Sequence, residues 1–219
     1  MAIYFAGYLS PIRNKLGNAV GRKWRTLDVL SAYNGRPRNP RTTAQQINRV
    51  HFGTMGNLAM HFAPVIALGY TATCAGTPVP PRSFFVKKNW GVVSVTDPDT
   101  VAVQYADIEC GQGTLLSAAA NGSPSFADPL TVEVALTDNS GSGNALRTDK
   151  VQFFAYCPDV KAGMLSDVKQ RDDASVSLTV PANWVGCRVH VYMITYGATG
   201  TDNEGLNSNS VYLGSGTIS

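Results

Sequence analysis

The second half of the chain alternates apolar with polar or small residues at a period of two, and this pattern constrains the fold more than any other feature. The alternating stretches are 101–105, 131–136, 175–180 and 189–194. Side chains at positions i and i+2 lie on the same face of a strand, so each stretch predicts a strand with a buried face. Clusters of Gly, Pro, Asn, Asp and Ser separate the stretches. We therefore predict a mainly β fold, with an immunoglobulin-like or fibronectin-like β-sandwich over residues 83–219.

One or two helices are predicted ahead of the sandwich, in residues 42–82. Thr42 is placed to cap a helix, and Gln45, three residues later, completes a capping box. Apolar residues then recur at steps of three to five, close to the spacing of a helical face. Pro64 predicts a kink or an end to this helix. The proline-rich run 77–82 predicts a linker.

The formal net charge of +3 is the sum of two opposed parts. Residues 1–90 contain twelve Lys or Arg and one acid, Asp28, which gives +11. Residues 91–219 contain six bases and fourteen acids, which gives −8. A basic N-terminal segment followed by an acidic domain predicts a charged partner, which is either nucleic acid or the acidic surface of another copy.

Residues 1–41 are predicted to form a basic N-terminal arm or hairpin. Apolar residues recur between its bases too regularly for a disordered tail, and short strands are expected around 20–30. The candidate contact residues combine cations with an aromatic side chain, which suits phosphate contacts and base stacking as well as docking on carboxylates. These candidates are Arg22, Lys23, Trp24, Arg25, Arg36, Arg38 and Arg41.

The sequence contains no grouping typical of an enzyme, a metal site or a cofactor site. Its three histidines lack the i, i+4 spacing of paired metal ligands. Its carboxylates cluster in predicted turns, and the loop 138–144 lacks the ligand pattern of a calcium loop. The glycines of 17–23 do not have the spacing of a phosphate-binding loop. We therefore predict a protein without enzymatic activity, metal or cofactor.

The cysteines and the apolar segments indicate where the chain is made. Cys74, Cys110, Cys157 and Cys187 lack zinc-type spacing and are interpreted as small core residues, with a Cys157–Cys187 disulfide left open if the two face each other across the sandwich. The longest mainly apolar stretch has thirteen residues, fewer than the roughly 20 of a spanning helix. The N-terminus lacks the pattern of a signal peptide. We therefore expect the protein to stay in the compartment where it is made, or to leave it by lysis, and to have no membrane partner.

Four segments, in this order along the chain, carry a resemblance. They are Gly17-Asn-Ala-Val-Gly21-x-x-Trp24-x-x-x-Asp28-Val29, Asn39-Pro-Arg-Thr-x-Ala-Gln45-x-x-x-Arg49-x-x-Phe52, Asp138-Asn-Ser-Gly-x-Gly-Asn-Ala145 and Asn209-Ser-Val-Tyr-Leu-Gly214. With them the chain resembles a family of uncharacterised proteins encoded by Bacteroidota and their phages, which has an N-terminal module and an immunoglobulin-like C-terminal half. The resemblance implies a virion component that is made in the bacterial cytoplasm, and it supplies no catalytic residues.

The leading hypothesis is a phage virion structural protein of capsid or tail, which self-assembles in many copies. Its basic arm would dock on the acidic sandwich of a neighbouring copy, and its partners would be copies of itself and other virion proteins. A nucleic-acid-binding virion protein is the first alternative. The second is an adhesin or carbohydrate-binding surface module, for which the aromatic candidates are Trp90, Trp184, Tyr192 and Tyr196.

Overall fold

The chain divides into two compact units. The structure is a computed structural model, which describes residues 2–4, 12–35, 39 and 41–219. We call Met1–Thr42 the arm unit and Thr43–Ser219 the body. The arm predicted for residues 1–41 therefore corresponds to a compact unit of its own.

The arm unit contains a four-stranded antiparallel sheet, which is larger than the predicted hairpin. Its strands are β1 (Ala2–Tyr4), β2 (Asn14–Leu16), β3 (Ala19–Trp24) and β4 (Leu27–Ala32), in the spatial order β1-β4-β3-β2. Gly21 of β3 is required by a close approach, because a Cβ at this position would overlap the main-chain carbonyl of Ile12. Gly17 has φ +59° in the turn between β2 and β3, a conformation that other residues rarely adopt.

The body begins with three helices, one more than the upper bound of the sequence prediction. They are α1 (Thr43–His61), α2 (Ala63–Cys74) and α3 (Pro81–Lys88). Pro64 lies in the first turn of α2, where its missing N–H is not needed, and the helical segment breaks at this point. Pro81 likewise opens α3, so the end of the proline-rich run starts a helix.

The sandwich begins later than residue 83, which corrects the predicted boundary. Residues 83–88 are helical, and the next two strands, β5 (Val93–Asp97) and β6 (Thr100–Val103), pair only with each other among the described residues. Val93 and Val103 of this hairpin pack with the helices. The alternation at 101–105 thus marks a true strand, but its apolar face covers the helical core.

The sandwich itself is formed by two antiparallel sheets. The remaining strands are β7 (Ala119–Ala120), β8 (Thr131–Thr137), β9 (Lys150–Cys157), β10 (Ala162–Leu165), β11 (Lys169–Gln170), β12 (Ser175–Thr179), β13 (Arg188–Tyr196) and β14 (Val211–Thr217). One sheet has the order β12-β8-β7 and the other β10-β9-β13-β14, with β11 also paired to β9. This distribution of consecutive strands between two sheets is that of an immunoglobulin-like sandwich. The predicted mainly β fold is confirmed.

The central strands β9 and β13 are buried on both faces. Phe153 and Met193 point into the core between the two sheets, where Trp184 also lies. Phe154 and Tyr192, one residue along, point to the other face and pack on the helices. Helices, central sheet and outer sheet therefore form three layers, and the segment predicted as a helix with a linker is an integral layer of the body.

Phe62, between α1 and α2, is the centre of the helical core. Its ring centroid lies 4.9 Å from that of Phe154 and 4.8 Å from that of Tyr156 on the central sheet. It also lies 5.7 Å from the ring of Phe85 on α3. These tilted aromatic contacts join two helical elements to the sandwich in one packed cluster.

Candidate interaction surface

The predicted contact residues of the arm fall on both faces of its sheet. Lys15 of β2 pairs with Val20 of β3, and positions 20, 22 and 24 alternate onto one face. Lys15, Arg22 and Trp24 therefore share a face. Lys23 lies on the opposite face, where Asp28 is directly across from it on β4. The acid of the arm unit thus stands beside Lys23, while the face with Arg22 and Trp24 carries cations and aromatics.

Cation–π contacts organise this surface. The Lys15 Nζ lies 3.8 Å from the ring centroid of Tyr33, and the Arg25 guanidinium carbon lies 5.5 Å from the Trp24 ring. Trp24 is 58% exposed and Tyr33 45% exposed, so both rings remain available to a partner. Exposed contacts of this kind are worth about 0.5–1 kcal/mol each, enough to bias the side chains without fixing them.

The remaining candidates are distributed unevenly. Arg25 is exposed in the turn between β3 and β4, with φ +57°. Arg41 is exposed near the end of the unit, with φ +51°. Arg36 and Arg38 lie outside the described residues. Four of the seven candidates, consecutive in sequence, lie at the end of one hairpin, with Lys23 on the face opposite to Arg22 and Trp24: Arg22, Lys23, Trp24 and Arg25.

Lys15 and Tyr33 belong to the same surface but were not among the predicted contact residues. They are separated by 18 positions in sequence, and only the pairing of three strands brings them together. The alternation of β3 could have placed Arg22 and Trp24 on one face, because that rule needs no partner strand. The pairing with β2 could not be read from spacing alone.

The body carries many carboxylates without a cationic partner. Three of the fourteen acids in residues 91–219 form ion pairs with described bases: Glu109 with Lys88, Asp172 with Arg147 and Asp149 with Arg171. The other eleven make no ion pair within the described part of the chain. Most of them are exposed, so the body presents an acidic surface to solvent.

The buried pair Arg171–Asp149 is a structural group that the sequence did not reveal. Both side chains are fully buried, with 3.0 Å between Arg171 Nη2 and Asp149 Oδ2. Arg171 also donates to Asn139 Oδ1 at 2.8 Å and to the Leu116 carbonyl at 2.7 Å. Asn203 donates to Asp149 Oδ1 at 2.9 Å. Because these partners come from separate loops, no local sequence motif predicts the buried ion pair.

Side chains of the loop 138–144 take part in the hydrogen-bond network around Arg171. Asn139 accepts the hydrogen bond from Arg171, and Asn144 Oδ1 accepts one from the Leu116 N–H at 2.9 Å. Hydrogen bonds from Ser140 lower the pKa of Asp138, which is exposed. The side chains of this loop therefore hold neighbouring loops in place and are not arranged around a common centre.

The aromatic residues suggested for sugar binding are mostly structural. Trp184 and Tyr192 are buried in the two cores. Tyr196 is half-buried and donates to Gln152 Oε1 at 2.8 Å. Trp90 is 41% exposed and packs on the ring of His51, with 4.1 Å between the ring centroids. Of the four, Trp90 alone is substantially exposed, so the four do not form a platform for a sugar ring.

Three of the cavities on the body are lined by none of the predicted residues. One, about 440 Å³, is lined by uncharged described residues that include Thr73, Gln112 and Asn207. Another, about 330 Å³, brings Tyr156 together with Lys161 and other side chains. Burial raises the pKa of Tyr156 to about 12, so its hydroxyl stays protonated at neutral pH.

One group of side chains has the composition of a metal site. The donor atoms of Cys157, Asp159 and Cys187 all lie within 4.8 Å of one another. All four cysteines are free thiols. Cys157 ends β9 and Cys187 directly precedes β13, so the two lie on neighbouring strands of one sheet and do not face each other across the sandwich. The two cysteines are 30 positions apart in sequence. Zinc motifs are recognised in a sequence by short spacings, so the sequence did not reveal this group.

The fold and its surface define a class: an immunoglobulin-like sandwich covered by helices and joined to a separate basic β-sheet arm. The chain belongs to the family described as "Family of unknown function (DUF6266)", whose model matches residues 11–214. The match spans both the arm unit and the body. The comparison with curated proteins returns no significant match. Among the described residues, no helix is long and apolar enough to cross a membrane.

Proposed function

We propose that this protein is a non-enzymatic structural protein that self-assembles in many copies, as a capsid or tail component of a phage virion. The basic arm unit of one copy docks on the acidic body of the next. The observation that carries this proposal is the opposite charge of two compact units. The virion setting rests on the resemblance of the four sequence segments.

The two units carry opposite net charges, although four of the twelve bases in residues 1–90 lie in the body. The arm unit contains eight bases and one acid, a net charge of +7, and the body contains ten bases and fourteen acids, a net charge of −4. Opposite potentials on two surfaces accelerate association and disfavour contacts between like surfaces. An arm therefore meets a body of another copy more readily than it meets another arm.

The charged groups on both sides are available for such a contact. Arg22, Lys23, Arg25 and Arg41 are exposed and form no ion pair with a described residue. The eleven unpaired acids of the body supply the complementary groups. Trp24 adds apolar area at the centre of the basic surface, and aromatic residues beside arginines are typical of interface hot spots.

The arrangement favours many copies over a closed pair. Arm and body are different surfaces, so a contact between them is head-to-tail and leaves one free arm and one free body at the ends. Such contacts produce rings when the rotation closes and filaments when it does not. Rings, tubes and shells are the forms in which virion proteins work.

Reversal of charge on the arm tests the proposal. We expect the pair Arg22→Glu and Arg25→Glu to weaken assembly at least about tenfold, because several surface ion pairs of about 0.2–1 kcal/mol each are replaced by repulsion. Sedimentation velocity of the full chain over a concentration series measures this change. Wild-type assembly should also weaken with salt, since ionic strength screens exposed charges.

The matched control reverses two exposed bases of the body, Lys169→Glu and Arg188→Glu, and so changes the net charge by the same amount. This control should assemble at least as well as the wild type. Equal loss of assembly in both double variants, or none in either, would mean that the arm has no special role.

Nucleic-acid binding is the second candidate, and the shared face of Lys15, Arg22 and Trp24 favours it. Cations beside an exposed aromatic ring can neutralise phosphates and stack on a base. On this alternative Trp24→Ala reduces affinity for a single-stranded DNA oligonucleotide by about 1–3 kcal/mol, and binding falls steeply with salt. Absence of DNA binding at low salt eliminates this alternative and leaves the assembly proposal intact.

A further inference from the structure

We propose that Cys157, Asp159 and Cys187 form a binding site for a thiophilic divalent cation of the zinc class. The site lies at one end of the sandwich, and all three residues belong to the body. Its three donor atoms lie within 4.8 Å of one another.

The strand pairing explains why the three residues converge. Cys157 is the last residue of β9, and Cys187 directly precedes β13, the strand that pairs with β9. Asp159 follows Cys157 by two residues, in the turn 158–161 that connects β9 to β10. Cys157 belongs to the core between the two sheets, and Cys187 packs against that core.

The three groups differ in exposure in a way that suits entry of an ion. Cys157 is fully buried, Cys187 is half-buried and Asp159 is exposed. The ion would therefore sit at the rim of the core, with the carboxylate toward solvent. No described residue forms an ion pair or a hydrogen bond with the Asp159 carboxylate. The Cys187 thiol has a weak contact, 3.9 Å to the Asn183 carbonyl, which is easily given up.

The donor set selects the type of metal. Two sulfur ligands and one carboxylate match Zn²⁺, which binds Cys at about 2.3 Å and carboxylate oxygen at about 2.0–2.2 Å. Three protein ligands and one water complete its tetrahedral shell. Ca²⁺ and Mg²⁺ require oxygen ligands and would leave both sulfurs unused. In a tetrahedral shell the ligand atoms are about 3.5–3.8 Å apart, so binding needs only small movements of the three side chains.

Binding would act on the fold at a defined place. Both thiols lose their protons to solvent as the two metal–sulfur bonds form. The ion then connects the end of β9 and its turn to the start of β13, at one end of the central sheet. A ligand that binds only the folded state raises stability in proportion to the logarithm of its concentration over Kd.

Cobalt is the spectroscopic probe for this site. Reduced, metal-free full-length protein is titrated with Co²⁺, and thiolate coordination is detected as a sulfur-to-cobalt charge-transfer absorption. We expect one Co²⁺ per chain, displaced by Zn²⁺. Zinc should also protect Cys187 from a thiol reagent.

Variants assign the ligands. Cys187→Ser should weaken Co²⁺ binding by more than the roughly 10–100-fold that loss of an outer-shell partner costs, and Asp159→Asn should weaken it about tenfold. Asp128→Asn, an exposed acid elsewhere in the body, serves as the control and should bind like the wild type. Cys187 is only half-buried, so its serine variant keeps the core, and circular dichroism verifies the fold.

Three results would overturn the proposal. The first is the absence of a charge-transfer band in the reduced wild type. The second is an unchanged band in Cys187→Ser. The third is oxidation of the two thiols to a disulfide at the same rate with and without zinc, which would make them a redox pair and not a metal site.

Discussion

At the scale of single residues, burial decides which charges hold the fold and which remain for partners. Arg171 and Asp149 are fully buried and share a network of hydrogen bonds. Arg147 and Asp172 form a pair of similar length, 2.7 Å, but the Arg147 side chain is 71% exposed. The first pair ties separate loops together, whereas water already solvates the second.

Arg171→Ala should destabilise the protein by about 3–5 kcal/mol, because it leaves the Asp149 carboxylate buried without its counter-charge. Arg147→Ala is the matched control and should cost no more than about 1 kcal/mol, as is usual for an exposed ion pair. Urea unfolding followed by circular dichroism measures both free energies of unfolding. Similar losses in the two variants would contradict the role of the buried network.

His190 makes stability depend on pH. Burial lowers the pKa of His190, and the positive charge of Arg188 lowers it further. Its ring stacks on Tyr105, and its Nδ1 lies 3.0 Å from the Tyr212 hydroxyl. Because the unfolded chain binds the proton more tightly, stability is complete above the ordinary histidine pKa of about 6.5 and falls as the pH drops below it.

His190→Gln should therefore flatten the decrease in unfolding free energy between about pH 7.5 and pH 5, the window around the ordinary histidine pKa. Urea unfolding at a series of pH values gives the two slopes. The same slope in the variant and the wild type would show that another group is responsible.

At the scale of elements, the sequence patterns located strands and helices better than they located domains. The alternation at 131–136, 175–180 and 189–194 corresponds to β8, β12 and β13. The same rule identified β6 correctly but could not show that its partner is β5 and its packing surface the helices. An alternation of apolar and polar residues indicates that one face of a strand is buried. It does not indicate which layer of the fold covers that face.

The number of helices and their part in the core were underestimated for a related reason. Strand β9 contains a nearly continuous apolar run, which is typical of a strand covered on both faces. Helices α1 to α3 supply the second cover. The proline-rich run 77–82 concealed α3, because a proline that can begin a helix looks the same in sequence as one that stiffens a linker.

Phe62→Ala should cost about 3–5 kcal/mol, because Phe62 fills the junction of the helices and the central sheet. Phe52→Ala removes an equal ring from the same helix region, but Phe52 is 65% exposed, so its cost should stay below about 1 kcal/mol. Thermal and urea unfolding measure the two changes. A small effect of Phe62→Ala would mean that the helices do not form part of the core.

At the scale of the whole molecule, the two compact units carry net charges of opposite sign. The arm unit ends at Thr42 and carries +7, and the body that follows carries −4. The sequence predicted the sign of each part and contains the basic run at residues 22–25, since both depend only on composition and order. It could not predict the face shared by Lys15, Arg22 and Trp24 or the thiol group at the sandwich end, because strand pairing creates both.

The central claim is that the arm unit drives assembly, and the mass of the particles tests it most directly. Mass photometry and electron microscopy would compare the full chain with a chain of residues 43–219, whose fold is verified by circular dichroism. We predict rings, tubes or shells for the full chain in virion-like buffer and single-chain particles for the truncated one. Identical mass distributions for the two, whether monomeric or assembled, would contradict the account.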